Sequence, residues 1–301
     1  MMFDLIIIGA GPAGITASVY AARKKMNFLV ITKDIGGQAA WSGDIENYTG
    51  YQFITGPELT GKFEEHMRKY SIELKENEEV LEIKKKNEGV WVKTDKATYQ
   101  AKTAVIASGK RSRELGVPGE LEFKNRGLTY CATCDAPLFA EKDVAVIGGG
   151  NSALDATLQL IRIAKHIYLI NITPALTGDA IMREKVRESK KVSILNNTRV
   201  TAVLGDRMVS GIKIKREDKE ETLPVEGVFV EIGLIPNSEF AKELEKNELG
   251  EIRVNCRSET NIPGIFAAGD VTEVPAKQII VAAGEGAKAA LSAFRYLAQH
   301  K

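Results

Sequence analysis

Two cysteines separated by two residues, in Tyr130-Cys131-Ala132-Thr133-Cys134-Asp135, are the sharpest chemical feature of this 301-residue sequence. Thiols at that spacing can close a disulfide when a turn brings their α-carbons within about 7 Å, and a nearby helix start favours one thiolate. The competing chemistry is zinc, which wants a second ligand pair. The chain has only three His, at 66, 166 and 300, and one further Cys, at 256, so no second C-x-x-C or paired His exists. The pair therefore reads as redox-active, and no metal site is expected. Asp135, just after the cysteines, can cap a helix. Cys256, lone and in a strand-like stretch, reads as a bland interior residue.

The second chemical feature is a glycine-rich turn between a strand and a helix, and it occurs twice. In Gly9-Ala10-Gly11-Pro12-Ala13-Gly14 the first glycine permits the tight turn, the second lets backbone approach a pyrophosphate, and the third lets helix pack on strand. The helix N-terminus adds free N–H groups and a positive dipole. The copy, Gly148-Gly149-Gly150-Asn151-Ser152-Ala153, follows 139 residues later with Ala153 as the accepted variant of the third glycine. Two dinucleotide sites and one C-x-x-C on one chain are enough for a two-electron relay that ends in a disulfide.

These motifs need elements to hold them, and the hydrophobic pattern supplies the same set twice. Asp4 to Ile8 reads as strand, Ile15 to Lys25 as helix and Phe28 to Ile31 as strand. In the copy, Val144 to Ile147 is strand, a helix runs to about Ala164, and His166 to Ile170 is strand. Each copy then acquires an alternating β-rich segment, Glu79 to Tyr99 and Val200 to Leu223. Each ends in a buried-looking strand, Thr103 to Ala107 and Gly227 to Ile232. A third glycine-bearing strand, Gly264 to Asp270, has no counterpart inside the second copy and is expected to return to the first. Pro57, Leu59, Phe63 and Met67 predict an amphipathic helix to about Tyr70, and Gln278 to about Gln299 an Ala-rich closing helix. The expected fold is α/β, with two Rossmann-like dinucleotide-binding domains of the three-layer ββα type. Residues 1–114 and 240–301 would form one discontinuous dinucleotide-binding domain, and 115–239 a second that carries the C-x-x-C.

Composition narrows the class. At 44% hydrophobic and 27% charged, with 41 basic and 40 acidic residues, the chain has a net charge of +1, so bulk charge selects neither nucleic acid nor an anionic membrane. No basic leader precedes Leu5 to Ile8 and no run approaches about 18 apolar residues, so a cytoplasmic location is expected.

The order of these motifs, with Gly36-Gly37-Gln38, Glu46-Asn47-Tyr48-Thr49-Gly50, Gly264-Ile265-Phe266-Ala267-Ala268-Gly269-Asp270 and Lys277-Gln278-Ile279 between and after them, resembles the low-molecular-weight thioredoxin reductases. From about Pro137 onward the chain is still more similar to the flavoprotein component of bacterial alkyl hydroperoxide reductase, without the two thioredoxin-like domains that precede its catalytic unit. The resemblance implies FAD at Gly9, Gly11, Pro12, Ala13 and Gly14, with Gly37, Gln38, Asn47, Ala107, Gly109, Gly269, Lys277 and Ile279 around it. Asp270 would bond the ribityl chain, and Gln278 would approach the flavin through its backbone. NADH or NADPH would lie at Gly148, Gly150, Asn151, Ser152 and Ala153, so the resemblance implies FAD in the first domain and the pyridine nucleotide in the second. Cys134 would stack on the flavin, Cys131 would attack the partner disulfide, and Asp135 would move the proton. The resemblance further implies domain rotation on segments near Arg111 to Gly119 and Gly233 to Ser238, a homodimer, and a separate partner. That partner would be thioredoxin, a glutaredoxin-like protein or a two-domain thioredoxin-fold protein, with a peroxiredoxin system downstream.

One departure matters. NADPH users of the family carry His-Arg-Arg and, three residues on, Arg; here that place reads Asn171-Ile172-Thr173-Pro174-Ala175-Leu176-Thr177. No cation is left for a 2′-phosphate, and Asn171 stands where an acid usually holds the ribose of NAD. NADH is therefore the expected donor. The rival readings are a reductase driven by ferredoxin or reduced deazaflavin, a ferredoxin–NADP reductase, and a non-catalytic redox-sensing flavoprotein.

Overall fold

The computed structural model describes residues 2–42, 44–86 and 89–300, with all of their side chains except those of Asp44, Thr133 and Cys134. The chain divides into two compact units, one of residues 1–111 and 235–301, the other of 112–234. The architecture is mixed α/β with parallel sheets, as the paired strand-turn-helix pattern predicts.

The first unit opens with β1 (Phe3–Ala10), α1 (Pro12–Arg23) and β2 (Phe28–Ile35). A short hairpin of β3 (Asp44–Ile45) and β4 (Ile54–Thr55) leads to α2 (Gly56–Arg68), followed by β5 (Glu73–Lys75), β6 (Val80–Lys86), β7 (Gly89–Thr94) and β8 (Thr98–Ile106). The main sheet runs β5-β2-β1-β8-β7-β6. β8 serves two neighbourhoods. Its first half pairs antiparallel with β7, while its second half pairs parallel with β1 and, on its other edge, with the late strand Ile265–Ala267. That pairing brings the closing segment back to the first unit.

Alternation sorts the strand residues between two cores. Leu5, Ile7, Phe28, Val30 and Val105 face α1 and the closing helix Ile279–Gln299. Ile6, Ile8, Leu29, Ile31, Ala104 and Ile106 face the β6–β7 hairpin. On α2 the predicted stripe is correct, with Leu59 and Met67 fully buried and Phe63 packed beside them. Its N-terminus is fixed by a capping box in which Thr55 and Glu58 satisfy each other's backbone N–H. α1 starts three residues earlier than the periodicity predicts, because Pro12 suits the first helical turn.

The chain passes out through β9 (Lys110–Ser112), and the second unit repeats the plan. Its elements are β10 (Leu128–Thr129), α3 (Ala132–Asp135), β11 (Asp143–Ile147), α4 (Asn151–Ile161), β12 (His166–Ile170), α5 (Ala180–Glu188) and β13 (Val192–Leu195). They continue through β14 (Thr198–Gly205), β15 (Val209–Arg216), β16 (Lys219–Leu223) and β17 (Gly227–Val230) to β18 (Leu234–Pro236), which pairs with β9. Five parallel strands run β10-β17-β11-β12-β13, and β14-β15-β16 form an antiparallel meander. Val144, Val146 and Phe229 face the helices; Ala145, Ile147, Val228 and Val230 face the meander. Each unit is thus three layers deep. Among the described residues no helix is long and apolar enough to cross a membrane.

Cys256 departs from expectation. It is exposed and free, in a turn where Asn255 Oδ1 accepts the backbone N–H groups of Arg257 and Glu259. The Asx turn overrides the strand-like local pattern.

Candidate active site

The first glycine turn divides its labour as its spacing requires. Gly9 has φ of +102°, and a Cβ there would lie 2.4 Å from the carbonyl oxygen of Ala107. A Cβ on Gly14 would lie 1.8 Å from the carbonyl oxygen of Gly9, so this position must be bare for α1 to pack on β1. Gly11 differs: a Cβ there would meet no protein atom within 4 Å. The open glycine is also the N-cap of α1 and makes no side-chain cap, leaving first-turn N–H groups for an anion. A pyrophosphate fits this cradle.

The other first-unit residues singled out from sequence gather on neighbouring loops. Gln38 lies on the 3-10 turn Gly37–Trp41, and its Nε2 donates to the carbonyl of Lys110, just after Gly109. Asn47 Nδ2 donates to Gln278 Oε1 at 3.1 Å, joining residues 231 positions apart. Gln278 is the N-cap of the closing helix and Ile279 its first residue. Gly269 packs over Ala13, where a Cβ would come within 2.9 Å of the Ala13 Cβ. Asp270 follows on a 3-10 turn. Burial pushes its carboxyl pKa up, with Lys277 and Lys110 acting the other way.

Behind these loops lies an ionic cluster that sequence reasoning missed. Glu251 pairs with buried Lys110 and, at 3.2 Å, with Lys277, and it accepts from Asn247 Nδ2. Burial works to raise the Glu251 pKa, but Lys110, Asn247 and Lys277 together hold it below its ordinary value. Lys277 also donates to the carbonyl of Val274 at 2.6 Å, and burial with the Lys110 charge lowers its pKa. The only sequence signal was a lysine directly after Gly109.

In the second unit Gly148 has φ of +144° beneath the carbonyl oxygen of Glu231, and Gly150, the uncapped N-cap of α4, is open like Gly11. Ala153 is buried where the third glycine would be. Asn151 Oδ1 accepts the N–H of Asp179 at 2.7 Å, while the N–H groups of Thr177 and Gly178 reach the Gly149 carbonyl at 2.8 and 3.2 Å. Ser152 is exposed on the first turn of α4. The loop after β12 is therefore tied to the glycine turn.

Asn171 follows β12 with every side-chain bonding position filled. Its Oδ1 accepts from Thr173 N and Oγ1, and its Nδ2 donates to Thr173 O and Asn196 Oδ1. The carboxamide folds the loop on itself. Arg183, on α5, donates to the Leu176 carbonyl in this same loop at 3.3 Å.

Cys131 is disulfide-bonded. Cys134 belongs to α3 by its backbone, and its side chain lies outside the described residues. Asp135 is buried and accepts from Thr129 Oγ1, which itself accepts the N–H of Cys131 at 3.1 Å. Asp135 stands at the N-cap of the 3-10 turn Ala136–Phe139 without a side-chain cap bond, so capping is not what its carboxylate does. A second carboxyl, also missed from sequence, reaches the turn from the end of β17: Glu231 Oε1 accepts the N–H of Ala132 at 3.3 Å. Upstream, buried Glu120 accepts from Tyr130 Oη at 2.8 Å and from the N–H groups of Leu115 and Gly116.

Two open glycine turns at uncapped helices, one in a unit with a disulfide-bonded cysteine turn, define a dinucleotide-dependent disulfide oxidoreductase class. The chain belongs to the pyridine nucleotide-disulphide oxidoreductase family, whose model matches residues 3–286. FAD and NAD(P)H are the cofactors of that class. It is 40% identical over 298 residues to a protein named NADH dehydrogenase from Ferdinandcohnia aciditolerans, covering 98% of this chain and 57% of that one. Over 303 residues it is 43% identical to an alkyl hydroperoxide reductase protein of Pseudomonas aeruginosa, covering 98% and 58%. The chain thus spans less than three-fifths of the length of these relatives. Among solved structures, thioredoxin reductase from Streptococcus pyogenes MGAS5005 matches with a TM-score of 0.92 and 36% identity, covering 99% of both chains.

Proposed function

We propose that this chain is an FAD-dependent disulfide reductase that takes electrons from NAD(P)H, NADH preferred, and delivers them through Cys131 and Cys134 to a thioredoxin-fold protein. The observation that carries the reading is the disulfide-bonded Cys131, set in a unit whose second glycine turn keeps Gly150 open at the start of α4. Gly9, Gly11, Pro12, Ala13 and Gly14 would hold the FAD pyrophosphate. Asp270 would hold its ribityl chain, and Gly37, Gln38, Asn47, Ala107, Gly109, Gly269, Lys277, Gln278 and Ile279 would surround the rest. The flavin, when bound, supplies the conversion between hydride chemistry and thiol chemistry. The protein's own part is to place the nicotinamide dinucleotide on Gly148, Gly150, Asn151, Ser152 and Ala153 and to keep a dithiol ready for exchange.

Cys131 would attack the partner disulfide and Asp135, anchored by Thr129, would handle the proton. The partner is thioredoxin, a glutaredoxin-like protein or a two-domain thioredoxin-fold protein, and the likeness to alkyl hydroperoxide reductase proteins favours a peroxiredoxin downstream. The enzyme would work as a cytoplasmic homodimer. Anaerobic titration of the yellow protein with NADH, NADPH and reduced ferredoxin in turn, followed by turnover of DTNB with thioredoxin, tests the proposal. Bleaching by a nicotinamide nucleotide and disulfide turnover are expected; bleaching by ferredoxin alone would replace the donor, and no turnover would leave only a redox sensor.

A further inference from the structure

Glu231 sits where two functional turns of the second unit meet. Its backbone closes the nucleotide turn: its N–H donates to Ile147 O at 2.8 Å, and its carbonyl oxygen lies over Gly148. Its side chain closes the cysteine turn by accepting the N–H of Ala132, the residue directly after Cys131. A carboxyl at that point puts an ionisable group on the backbone N–H next in sequence to the thiol that must ionise to attack a disulfide.

We propose that Glu231 is a positioning residue of the dithiol, holding the start of α3 and setting, through its own charge, the pH at which Cys131 becomes a thiolate. The inference rests on the disulfide-reductase reading.

The electrostatics follow from the surroundings. Burial pushes the Glu231 pKa up to about 7, with the bond from Ala132 acting the other way and the charge of Asp155 on α4 adding to the shift. The other titratable groups on the cysteine turn are Tyr130, Cys131, Cys134 and Asp135; Tyr130 donates to Glu120 and Asp135 accepts from Thr129. An ionised Glu231 opposes a second negative charge on Cys131, so the two groups lose their protons in two steps belonging to the pair. When the Cys131 thiolate attacks a partner disulfide, one sulfur–sulfur bond forms and the partner's bond breaks. The leaving sulfur carries away the electron pair and takes a proton. The proton that left Cys131 and the one the partner gains balance, and no outside oxidant or reductant enters.

The test is the pH dependence of Cys131 alkylation by iodoacetamide in the reduced, FAD-loaded full chain, read by mass spectrometry between pH 5 and 10. The wild type should show two inflections. Glu231→Gln keeps an oxygen for Ala132 but removes the charge, and should lose the lower inflection and show an apparent thiol pKa about one unit lower, making alkylation at pH 7 roughly three-fold faster. Glu231→Asp should restore part of the wild-type profile. Asp155→Asn, on the exposed face of α4, should move the lower inflection of the wild-type curve down. Superimposable wild-type and Glu231→Gln curves, or a lower inflection unmoved by Asp155→Asn, would overturn the inference. A wild type that gives the two-step curve but does not turn over DTNB would instead refute the functional reading alone.

Discussion

Lys110 and Glu251, 141 residues apart, form an ion pair with side chains only 7% and 8% exposed. The pair sits in the first unit, with Lys110 directly after Gly109 and Glu251 also paired with Lys277, which precedes the closing helix. Two buried charges tolerate each other's company far better than solitude, so removing one partner costs about 3–5 kcal/mol. Lys110→Met and Glu251→Gln should each lower the free energy of unfolding by that order at pH 7, measured by urea denaturation. The pH dependence has a definite sign. Glu251 has a folded pKa held below its ordinary 4.5, so its contribution is present above that value and is lost as pH falls through the folded pKa. The gap between wild type and Glu251→Gln should therefore narrow in acid; a gap independent of pH would show that the charge is irrelevant.

Gly11 and Gly14 make opposite predictions though they belong to one motif. A Cβ on Gly14 collides with the Gly9 carbonyl, whereas one on Gly11 enters open space. Gly14→Ala should destabilise the fold by at least about 1–3 kcal/mol through overpacking. Gly11→Ala should leave the apoprotein's thermal midpoint unchanged and weaken FAD binding roughly ten-fold or more, a loss of at least about 1.4 kcal/mol. Equal FAD affinity in wild type and Gly11→Ala would mean that the open glycine faces no cofactor.

Much of this was legible because local patterns and the fold agree. The strand-turn-helix pairs, the His166–Ile170 strand and the β-rich segment Val200 to Leu223 follow from periodicity alone. Ionic relations between distant segments were not legible. Lys110 meets Glu251 only after the chain has gone out through the second unit and returned, and Glu231 meets Ala132 only because β17 pairs with β10. The available signal was a charged residue, Glu231, inside the run Gly227 to Ile232 that reads as a buried strand. Cys256 shows the opposite failure, a strand-like run bent by Asn255.

The cysteines are expected to separate in their effects. Cys131→Ser should leave flavin reduction by the nucleotide largely intact and abolish reduction of thioredoxin, because only the exchange thiol is gone. Cys134→Ser should also block reduction of the partner but should trap a mixed disulfide through Cys131. Rapid-mixing flavin absorbance and non-reducing electrophoresis with thioredoxin distinguish the two. Full partner reduction by both variants would remove the C-x-x-C from the pathway, and stoichiometric zinc in the purified protein would give the pair a different purpose.

NADH should have the higher specificity constant. The loop after β12 presents Asn171, Thr173 and Thr177 where arginines would meet a 2′-phosphate, and Asn171 has no bonding capacity left over. Each charge-assisted bond forfeited is worth about 1.5–3 kcal/mol, or roughly one to two orders of magnitude in binding. Arg183 reaches this loop from α5, and its guanidinium donates to the Leu176 carbonyl. Arg183→Gln should therefore leave turnover with NADH nearly unchanged. With no acid to hold the ribose, the NADH Michaelis constant should be high and the preference set by what NADPH loses. Steady-state kinetics with both nucleotides decides the matter. A higher kcat/KM for NADPH, abolished by Arg183→Gln, would show that this arginine abandons Leu176 to read the phosphate and would reverse the assignment of the donor.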